Sequence, residues 1–201
     1  MIRILSAAML GFACGLCPAA SPAELGGYRF EPEADLGGTR LQLNGAGIRY
    51  KAIFKVYAAG LYTQSRLATP EAVYGDTGAK RMHVVMLREV DSGGFGKMLM
   101  QGMEANLPRD QLKHCIPGIV QLGEVFSAKK RMVAGETYTL EFRPGSGTTV
   151  KVNGQVMAQT RDAMLFTCLM YNYLGKRPVD DSLKPALLGQ PPKDEFEVAP
   201  G

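Results

Sequence analysis

The stretch GIRYKAIFKVYAAGLY, residues 47–62, alternates as a β-strand does when one of its faces is buried. The pattern predicts one continuous strand that ends near Thr63. Arg49 and Tyr57 are eight residues apart, an even number, so the pleat of such a strand places both side chains on the same face. A half-buried face that carries an arginine and a tyrosine is a candidate site for an anion.

The chemistry of these two side chains supports that interpretation. A guanidinium is permanently charged and grips a carboxylate or phenolate with two parallel hydrogen bonds, and a tyrosine hydroxyl can donate to the same oxygen. Tyr62 falls on the opposite face unless residues 58–60, Ala-Ala-Gly, form a bulge that shifts the register. The alternative is structural: Arg49 is a solvated strand residue and both tyrosines only fill space.

The order of the remaining segments predicts the fold class. Two short strands around a Gly-Gly turn come first, then the strand at 47–63, a short helix from Pro70 and an apolar strand at 80–89. Helical patterns follow at 94–107 and 109–128, where Pro117 is expected to kink or divide the second helix. A hairpin around PGSG, an apolar helix that ends at Gly175 and a short last helix complete the order. Because strands and helices do not alternate strictly, an antiparallel sheet with helices on one face, an α+β fold, is expected.

The N-terminus has the pattern of an export signal. Arg3 is followed by a short apolar run and by small residues, which predicts cleavage after Ala23, or alternatively after Ala20. Cys14 offers a lipoprotein signal as a weaker alternative. We therefore expect a bacterial periplasmic protein with a signal peptide at 1–23, one domain at 24–189 and a loose tail at 190–201. No segment is apolar over the length that a transmembrane helix needs.

Composition excludes several functional classes. The net charge of +4 is mild and the basic residues are scattered, so no nucleic-acid partner is expected. The two histidines, His83 and His114, form no metal-binding motif, and no phosphate-binding loop or dinucleotide fingerprint is present, so neither a metal nor a cofactor is expected. Cleavage would leave Cys115 and Cys168, which either pair in an oxidising compartment or remain buried thiols.

Three motifs in order resemble the chalcone isomerase superfamily, in particular its exported bacterial branch. They are GAGIRYKAIFKVYAAGLY, LREVDSGGFGKML and YNYLGKRPVDDSLKPALLG, and the likeness spans about residues 40–189. The resemblance implies an open-faced β-sandwich in which helices are layered on one face of a large antiparallel sheet, with a ligand cleft between the layers. Plant members close a chalcone to a flavanone, whereas fatty-acid-binding members hold a carboxylate with an arginine and a tyrosine.

The resemblance also assigns site residues. Arg49 stands at the position of the conserved cleft arginine, Tyr57 at that of the enzyme's first threonine and His114 at that of its asparagine. Leu107 stands near the position of the enzyme's tyrosine, and Asn172 replaces its late threonine or serine. The arginine is kept and most of the accompanying hydroxyl groups are not. Since the loss of one donor to a developing enolate typically costs about 3 kcal/mol, the pattern favours binding over catalysis.

The leading hypothesis is therefore a protein that binds a small amphipathic anion, such as a fatty acid, without efficient catalysis. Arg49 anchors the anion, Tyr57 or Tyr62 donates a hydrogen bond, and His114, Asn172 and Met98 line the cleft. One alternative is an isomerase of enone substrates in which Arg49 and Tyr57 assist. Another is an interaction module of the cell envelope, in which Met98, Leu99 and Met170 fill the space beside Arg49. The sequence predicts neither the ligand nor the oligomeric state.

Overall fold

The protein is built on one seven-stranded antiparallel sheet with helices packed on one face. The computed structural model describes residues 22–127, 129–162 and 164–190, so Cys14, Cys17, most of the predicted signal peptide and the predicted tail from 191 onward lie outside the described residues. The strands are β1 Ala23–Leu25, β2 Tyr28–Phe30, β3 Glu33–Leu36, β4 Thr39–Lys51, β5 Phe54–Thr63, β6 Lys80–Met86, β7 Val90–Asp91, β8 Arg131–Met132, β9 Thr137–Arg143, β10 Gly147–Val152 and β11 Gln155–Thr160. The helices are α1 Pro70–Gly75, α2 Ser92–Asn106, α3 Arg109–Ser127, α4 Met164–Leu174 and α5 Leu183–Leu187.

The order of the strands in the large sheet is β11-β10-β9-β6-β5-β4-β3, and every neighbouring pair is antiparallel. Two-stranded sheets formed by β1–β2 and by β7–β8 accompany it. The predicted class, an α+β fold with an antiparallel sheet and helices on one face, is confirmed.

The stretch at 47–62 is a hairpin and not one strand, so that prediction is wrong. β4 ends at Lys51, a two-residue turn follows at Ala52 and Ile53, and β5 begins at Phe54. Arg49 pairs directly with Tyr57 across the hairpin, and cross-strand partners lie on the same face. The two side chains therefore share a face as expected, but because they face each other across two strands.

The helical layer covers one face and encloses the larger of two cores. The buried face of α2 carries Phe95, Leu99 and Met103. Pro117 does not divide the second long helix: α3 runs continuously from Arg109 to Ser127. A proline inside a helix costs about 3 kcal/mol, and tight packing offsets that cost here, since Gly118 lets the side chain of Leu165 from α4 lie against the helix.

A disulfide joins α3 to α4. The two cysteines whose pairing the sequence leaves open, Cys115 and Cys168, are bonded in the structure, with their Cα atoms 6.0 Å apart. Both residues are completely buried in the core beneath the helical layer.

The opposite face of the sheet carries a smaller core beneath the β1–β2 hairpin. Phe30 packs directly on Gly60, where a side chain would collide with its ring, and Leu43, Ala58 and Tyr62 belong to the same cluster. The Tyr62 hydroxyl donates to the backbone carbonyl of Glu31 at 3.0 Å. β5 pairs with β6 without a bulge, so Tyr62 stays on the face opposite to Arg49.

His83 lies between the large sheet and the β1–β2 hairpin, and its ring is neutral near pH 7. Burial, with a contribution from the nearby charge of Arg81, lowers its pKa from 6.5 to about 4. Its ring nitrogens lie 3.0 Å from the Tyr28 hydroxyl and 2.8 Å from the Thr139 hydroxyl. A neutral imidazole can donate to one of these hydroxyls and accept from the other, whereas a protonated one cannot accept.

We expect the free energy of unfolding to fall as the pH drops from about 6.5 to about 4, the window between the unfolded and folded pKa values of His83. In that window the unfolded chain binds a proton that the folded protein excludes, so acid favours unfolding, by about 3 kcal/mol in all. Urea unfolding at a series of pH values measures the slope. His83→Gln should flatten it, and an unchanged slope would assign the effect to other groups.

Candidate functional site

The hairpin of β4 and β5 positions Arg49 on the helical side of the sheet. Gly45 and Gly47 precede it on that side, and both lack a side chain because α5 lies directly against them. Arg49 is the first residue of β4 beyond this contact with space for a long side chain. A bulge in β5 places Val56 next to Tyr57 opposite Arg49, and the Arg49 guanidinium carbon lies 5.7 Å from the centroid of the Tyr57 ring.

Arg49 has no anionic partner among the residues that the structure describes. It is half-buried, it takes part in none of the ion pairs of the described chain, and its Nε is buried without a hydrogen bond. Buried polar groups nearly always have a partner, and a desolvated charge without one is costly. The guanidinium is therefore ready to accept an anion from outside the protein.

Three tyrosine hydroxyls lie buried behind Arg49. Tyr57, Tyr138 and Tyr173 are almost completely buried, and none of their hydroxyl groups makes a hydrogen bond of normal length within the described chain, although the hydroxyls of Tyr57 and Tyr173 lie close enough to interact with each other. Burial raises the pKa of Tyr57 and Tyr138 well above 10 and that of Tyr173 to about 12, although the charge of Arg49 works in the opposite direction on Tyr57 and Tyr173. The phenols are thus neutral near pH 7 and can act as hydrogen-bond donors.

Asp180 lies near this cluster, but its carboxylate is hydrogen-bonded to backbone N–H groups and not to Arg49. One carboxylate oxygen accepts from the backbone N–H of Tyr50 at 2.7 Å, and the other accepts from the backbone N–H groups of Ser182 and Leu183. Burial acts to raise the Asp180 pKa, but these hydrogen bonds outweigh it and lower the pKa. The residue caps the start of α5 and fixes the end of β4 next to Arg49.

A cleft of about 780 Å³ opens beside Arg49, within the range of ligand pockets. Arg49, Lys51, Arg88 and Lys97 give its wall a positive charge. The other lining residues are mostly apolar, with a few polar or acidic groups: Ala52, Phe54, Val56, Glu89, Val90, Asp91, Gly94, Phe95, Met98 and Gln101. A partly apolar cleft with four basic residues in its wall fits a ligand that has an anionic head and a hydrocarbon body.

Phe95 separates this cleft from the buried tyrosines. Its side chain contributes to the cleft wall, and its ring centroid lies 6.2 Å from that of Tyr57 and 6.1 Å from that of Tyr138. The tyrosines themselves are not part of the cleft lining. A ligand in the cleft therefore reaches Arg49 directly, and it reaches the hydroxyls only if Phe95 moves.

The structure brings together three of the six predicted site residues: Arg49, Tyr57 and Met98. The other three lie elsewhere. Tyr62 is on the opposite face of the sheet, and His114 is exposed on α3. Asn172 is buried between helices, where its Nδ2 donates to the Leu99 carbonyl at 2.9 Å.

These three positions have physical causes. The regular pairing of β5 with β6 decides the face of Tyr62, and the burial of the adjacent Cys115 turns His114 outward on its helix. The side chain of Asn172 fills the space left by Gly102 and so packs α4 against α2. Leu107 is buried at the end of α2 and is not part of the cleft lining.

Sequence reasoning missed four residues of the site: Phe95 and Arg88 of the cleft wall, and Tyr138 and Tyr173 behind it. A signal for Tyr138 was present, because Tyr138, Leu140 and Phe142 alternate in β9 and so share one face. Tyr173 follows Asn172 in the motif YNYLG, but its proximity to Arg49 depends on how α4 crosses the sheet.

The described part of the chain contains no group of three or more histidine, cysteine, aspartate or glutamate residues that could hold a metal ion. Among the helices of the same residues, none is long and apolar enough to cross a membrane.

Known proteins show which family has this architecture. A fatty-acid binding protein from Arabidopsis thaliana, whose crystal structure is known, has a similar fold, with a TM-score of 0.59 and 15% sequence identity over 81% of this chain and 92% of that chain. At this identity the likeness shows the fold alone. No curated protein sequence matches the chain. The family model of chalcone isomerase-like proteins matches residues 22–189, and the chain therefore belongs to the chalcone isomerase-like family.

Proposed function

We propose that this protein binds a small amphipathic anion, such as a fatty acid, in the cleft beside Arg49, and that it does so without efficient catalysis. The observation that carries the proposal is the state of Arg49. Its half-buried guanidinium has no carboxylate partner in the described chain and lines a cleft whose wall is largely apolar. A carboxylate bound there supplies the missing partner, and a hydrocarbon chain covers the apolar wall.

The tyrosines provide the second part of the binding site. When Phe95 turns aside, the neutral hydroxyl of Tyr57 can donate to a carboxylate oxygen held by Arg49. Such charge-assisted hydrogen bonds are about twice as strong as neutral ones. The hydroxyl groups that lack partners in the free protein then gain one, so binding relieves a cost that the fold carries.

The similarity to a plant fatty-acid binding protein supports the ligand class. That protein shares the fold, and a fold by itself does not determine function. The chemistry of this chain's own residues points the same way, because an unpaired arginine and a largely apolar cleft wall suit a fatty acid.

We also propose that the protein is exported to an oxidising compartment, the periplasm of a bacterium. The bond between Cys115 and Cys168 supports this location, since stable disulfides are rare in the cytosol. The predicted signal sequence is the other support. Intact-mass measurement of the protein recovered from the periplasm checks the predicted cleavage, and recovery of the full-length chain from the cytosol would contradict it.

Arg49→Ala should weaken fatty-acid binding by about 10- to 100-fold, because a hydrogen bond to a charged group is worth about 1.5–3 kcal/mol. Native mass spectrometry of gently purified protein shows any ligand carried from the cell, and calorimetric titration with dodecanoate gives the affinity. Arg40→Ala is the matched control, because Arg40 lies on the same strand but is exposed. Equal affinity of wild type and Arg49→Ala would remove Arg49 from the site.

Isomerase activity on an enone substrate is a second candidate. The observation that favours it is the cluster of neutral phenols near Arg49, which could stabilise a developing enolate in place of the hydroxyl groups that the family's enzymes use. Turnover of a chalcone that is lost in Arg49→Ala would support this function. The third hypothesis, a filled cleft, gains no support: Leu99 and Met170 are buried in the core and the space beside Arg49 is open.

A further inference from the structure

The turn between β4 and β5 has a composition that turn geometry does not explain. In the described chain the other four tight hairpin turns contain Gly26–Gly27, Gly37–Gly38, Pro144–Ser146 and Asn153–Gly154, the residue types that tight turns favour. This turn contains Ala52 and Ile53. Ala52 has a φ of +52°, a conformation that is unfavourable for a residue with a Cβ.

The tip also exposes apolar side chains. Ile53 is 85% exposed and Phe54 is 54% exposed, and Tyr50 on the adjoining strand is 41% exposed. Ile53 is the most exposed of the large apolar residues in the described chain. Cross-strand pairing sets Phe54 opposite Lys51 and Tyr50 opposite Lys55, so Phe54 and Tyr50 lie on opposite faces of the hairpin end, with Ile53 in the turn. The end of the hairpin, here called the hairpin tip, residues 50–54, therefore exposes apolar side chains on both of its faces.

Basic residues surround the hairpin tip. Lys51, Lys55 and Arg88 are all exposed, and the guanidinium of Arg88 stacks on the Phe54 ring at 4.7 Å from its centroid. The nearby acids are engaged: Glu89 pairs with Arg131, Asp91 caps α2, and Asp180 accepts from backbone N–H groups, one of them that of Tyr50 in the tip itself. The surroundings of the tip are therefore positive.

We propose that the hairpin tip docks on the surface of an anionic lipid bilayer. Isoleucine, phenylalanine and tyrosine would enter the region between headgroups and acyl chains, and the basic residues would contact the lipid phosphates. Elements that lie in a membrane interface combine these two features. Protein interfaces are larger than this tip and are depleted in lysine, which is why the chemistry favours lipid over a protein partner.

The hairpin tip also forms part of the cleft beside Arg49. Lys51, Ala52 and Phe54 belong to the wall of the cleft beside Arg49, so docking would bring the mouth of the cleft to the lipid surface. An amphipathic ligand could then pass between bilayer and cleft without crossing water. The docking proposal depends only on the hairpin tip. The passage of a ligand between bilayer and cleft depends in addition on the proposed ligand-binding function.

The chain has no tryptophan, so Ile53→Trp introduces a single fluorescent probe at the tip. On addition of vesicles made of equal parts phosphatidylglycerol and phosphatidylcholine, its emission should shift to the blue and be quenched by brominated lipid. Vesicles of phosphatidylcholine alone should bind at least tenfold more weakly, because several basic residues lose their attraction to the surface. Ile53→Asp should reduce binding of the otherwise native protein about tenfold or more.

Met164→Trp is the matched control. Met164 is also an exposed apolar residue, and it follows the end of β11. Strand pairing through β10 and β9 aligns that end of β11 with Lys80. Lys80 begins β6, whereas the hairpin tip lies beyond the other end of β6. The emission of Met164→Trp should not shift. An unshifted Ile53→Trp spectrum with both vesicles would overturn the proposal and point to a protein partner. Full vesicle binding by Ile53→Asp would also overturn it, because another surface would then contact the lipid. Arg49→Ala should keep vesicle binding while losing dodecanoate, so failure of docking and failure of ligand binding give different results.

Discussion

Removing the disulfide between Cys115 and Cys168 should lower the free energy of unfolding by about 4 kcal/mol, because the bond closes a loop with a sequence separation of 53 residues. Without the bond, the unfolded chain has a higher conformational entropy, which favours unfolding. The folded protein depends on the bond directly, since it ties α3 to α4 in the middle of the helical layer. Guanidinium unfolding of Cys115→Ala/Cys168→Ala against wild type measures the loss.

The reduced wild-type protein is the control for packing. Both cysteines are completely buried, so the alanine variant also loses the contacts of two sulfur atoms. Reduction breaks the bond and keeps those atoms in place. We expect the reduced protein to be slightly more stable than the double variant and clearly less stable than the oxidised protein. Identical unfolding midpoints for the reduced and oxidised forms would show that packing of α3, and not the bond, holds the layer.

The elements that sequence could predict are those with local signals. The face of α2 follows from the spacing of Phe95, Leu99 and Met103, and the PGSG turn follows from its residue types. The hairpin at 47–62 lacks such a signal, because Ala52 and Ile53 are not turn residues. The prediction of one strand was wrong, but the prediction that Arg49 and Tyr57 share a face was right. An even separation along one strand and direct pairing across two strands both place two side chains on the same face.

The candidate site was only partly predictable, because its residues converge through tertiary packing. Arg49 and Tyr57 come from one hairpin and could be paired from sequence. Tyr138 comes from β9, which reaches β5 only through β6, and Tyr173 comes from a helix on top of the sheet. Their hydroxyls carry no local pattern that reveals a missing partner. The family resemblance assigns positions along the chain, and it placed His114 and Asn172 where the structure has a surface and a helix contact.

Replacing the buried phenols with phenylalanine should make the free protein more stable and its ligand binding weaker. The hydroxyl groups of Tyr57, Tyr138 and Tyr173 are buried without partners, and a buried polar group without a hydrogen bond costs about 1–3 kcal/mol. Each Tyr→Phe change should therefore raise the free energy of unfolding by about 1 kcal/mol. The triple variant should gain less than the sum of the three, because the hydroxyls of Tyr57 and Tyr173 interact with each other. Tyr57→Phe should also weaken dodecanoate binding about tenfold, through loss of a hydrogen bond to a charged oxygen.

Two other tyrosines separate a binding role from a general effect of the substitution. Tyr74 also has a buried hydroxyl without a partner, but it lies in α1, stacked on Tyr171, and is not part of the cleft lining, so Tyr74→Phe should stabilise the protein and leave binding unchanged. Tyr62 donates to the Glu31 carbonyl, so Tyr62→Phe should destabilise it by about 1 kcal/mol. Thermal unfolding and titration of all five single variants test these signs together. If Tyr57→Phe behaves like Tyr74→Phe, its hydroxyl does not reach the ligand, and the anion is held by Arg49 alone in front of Phe95.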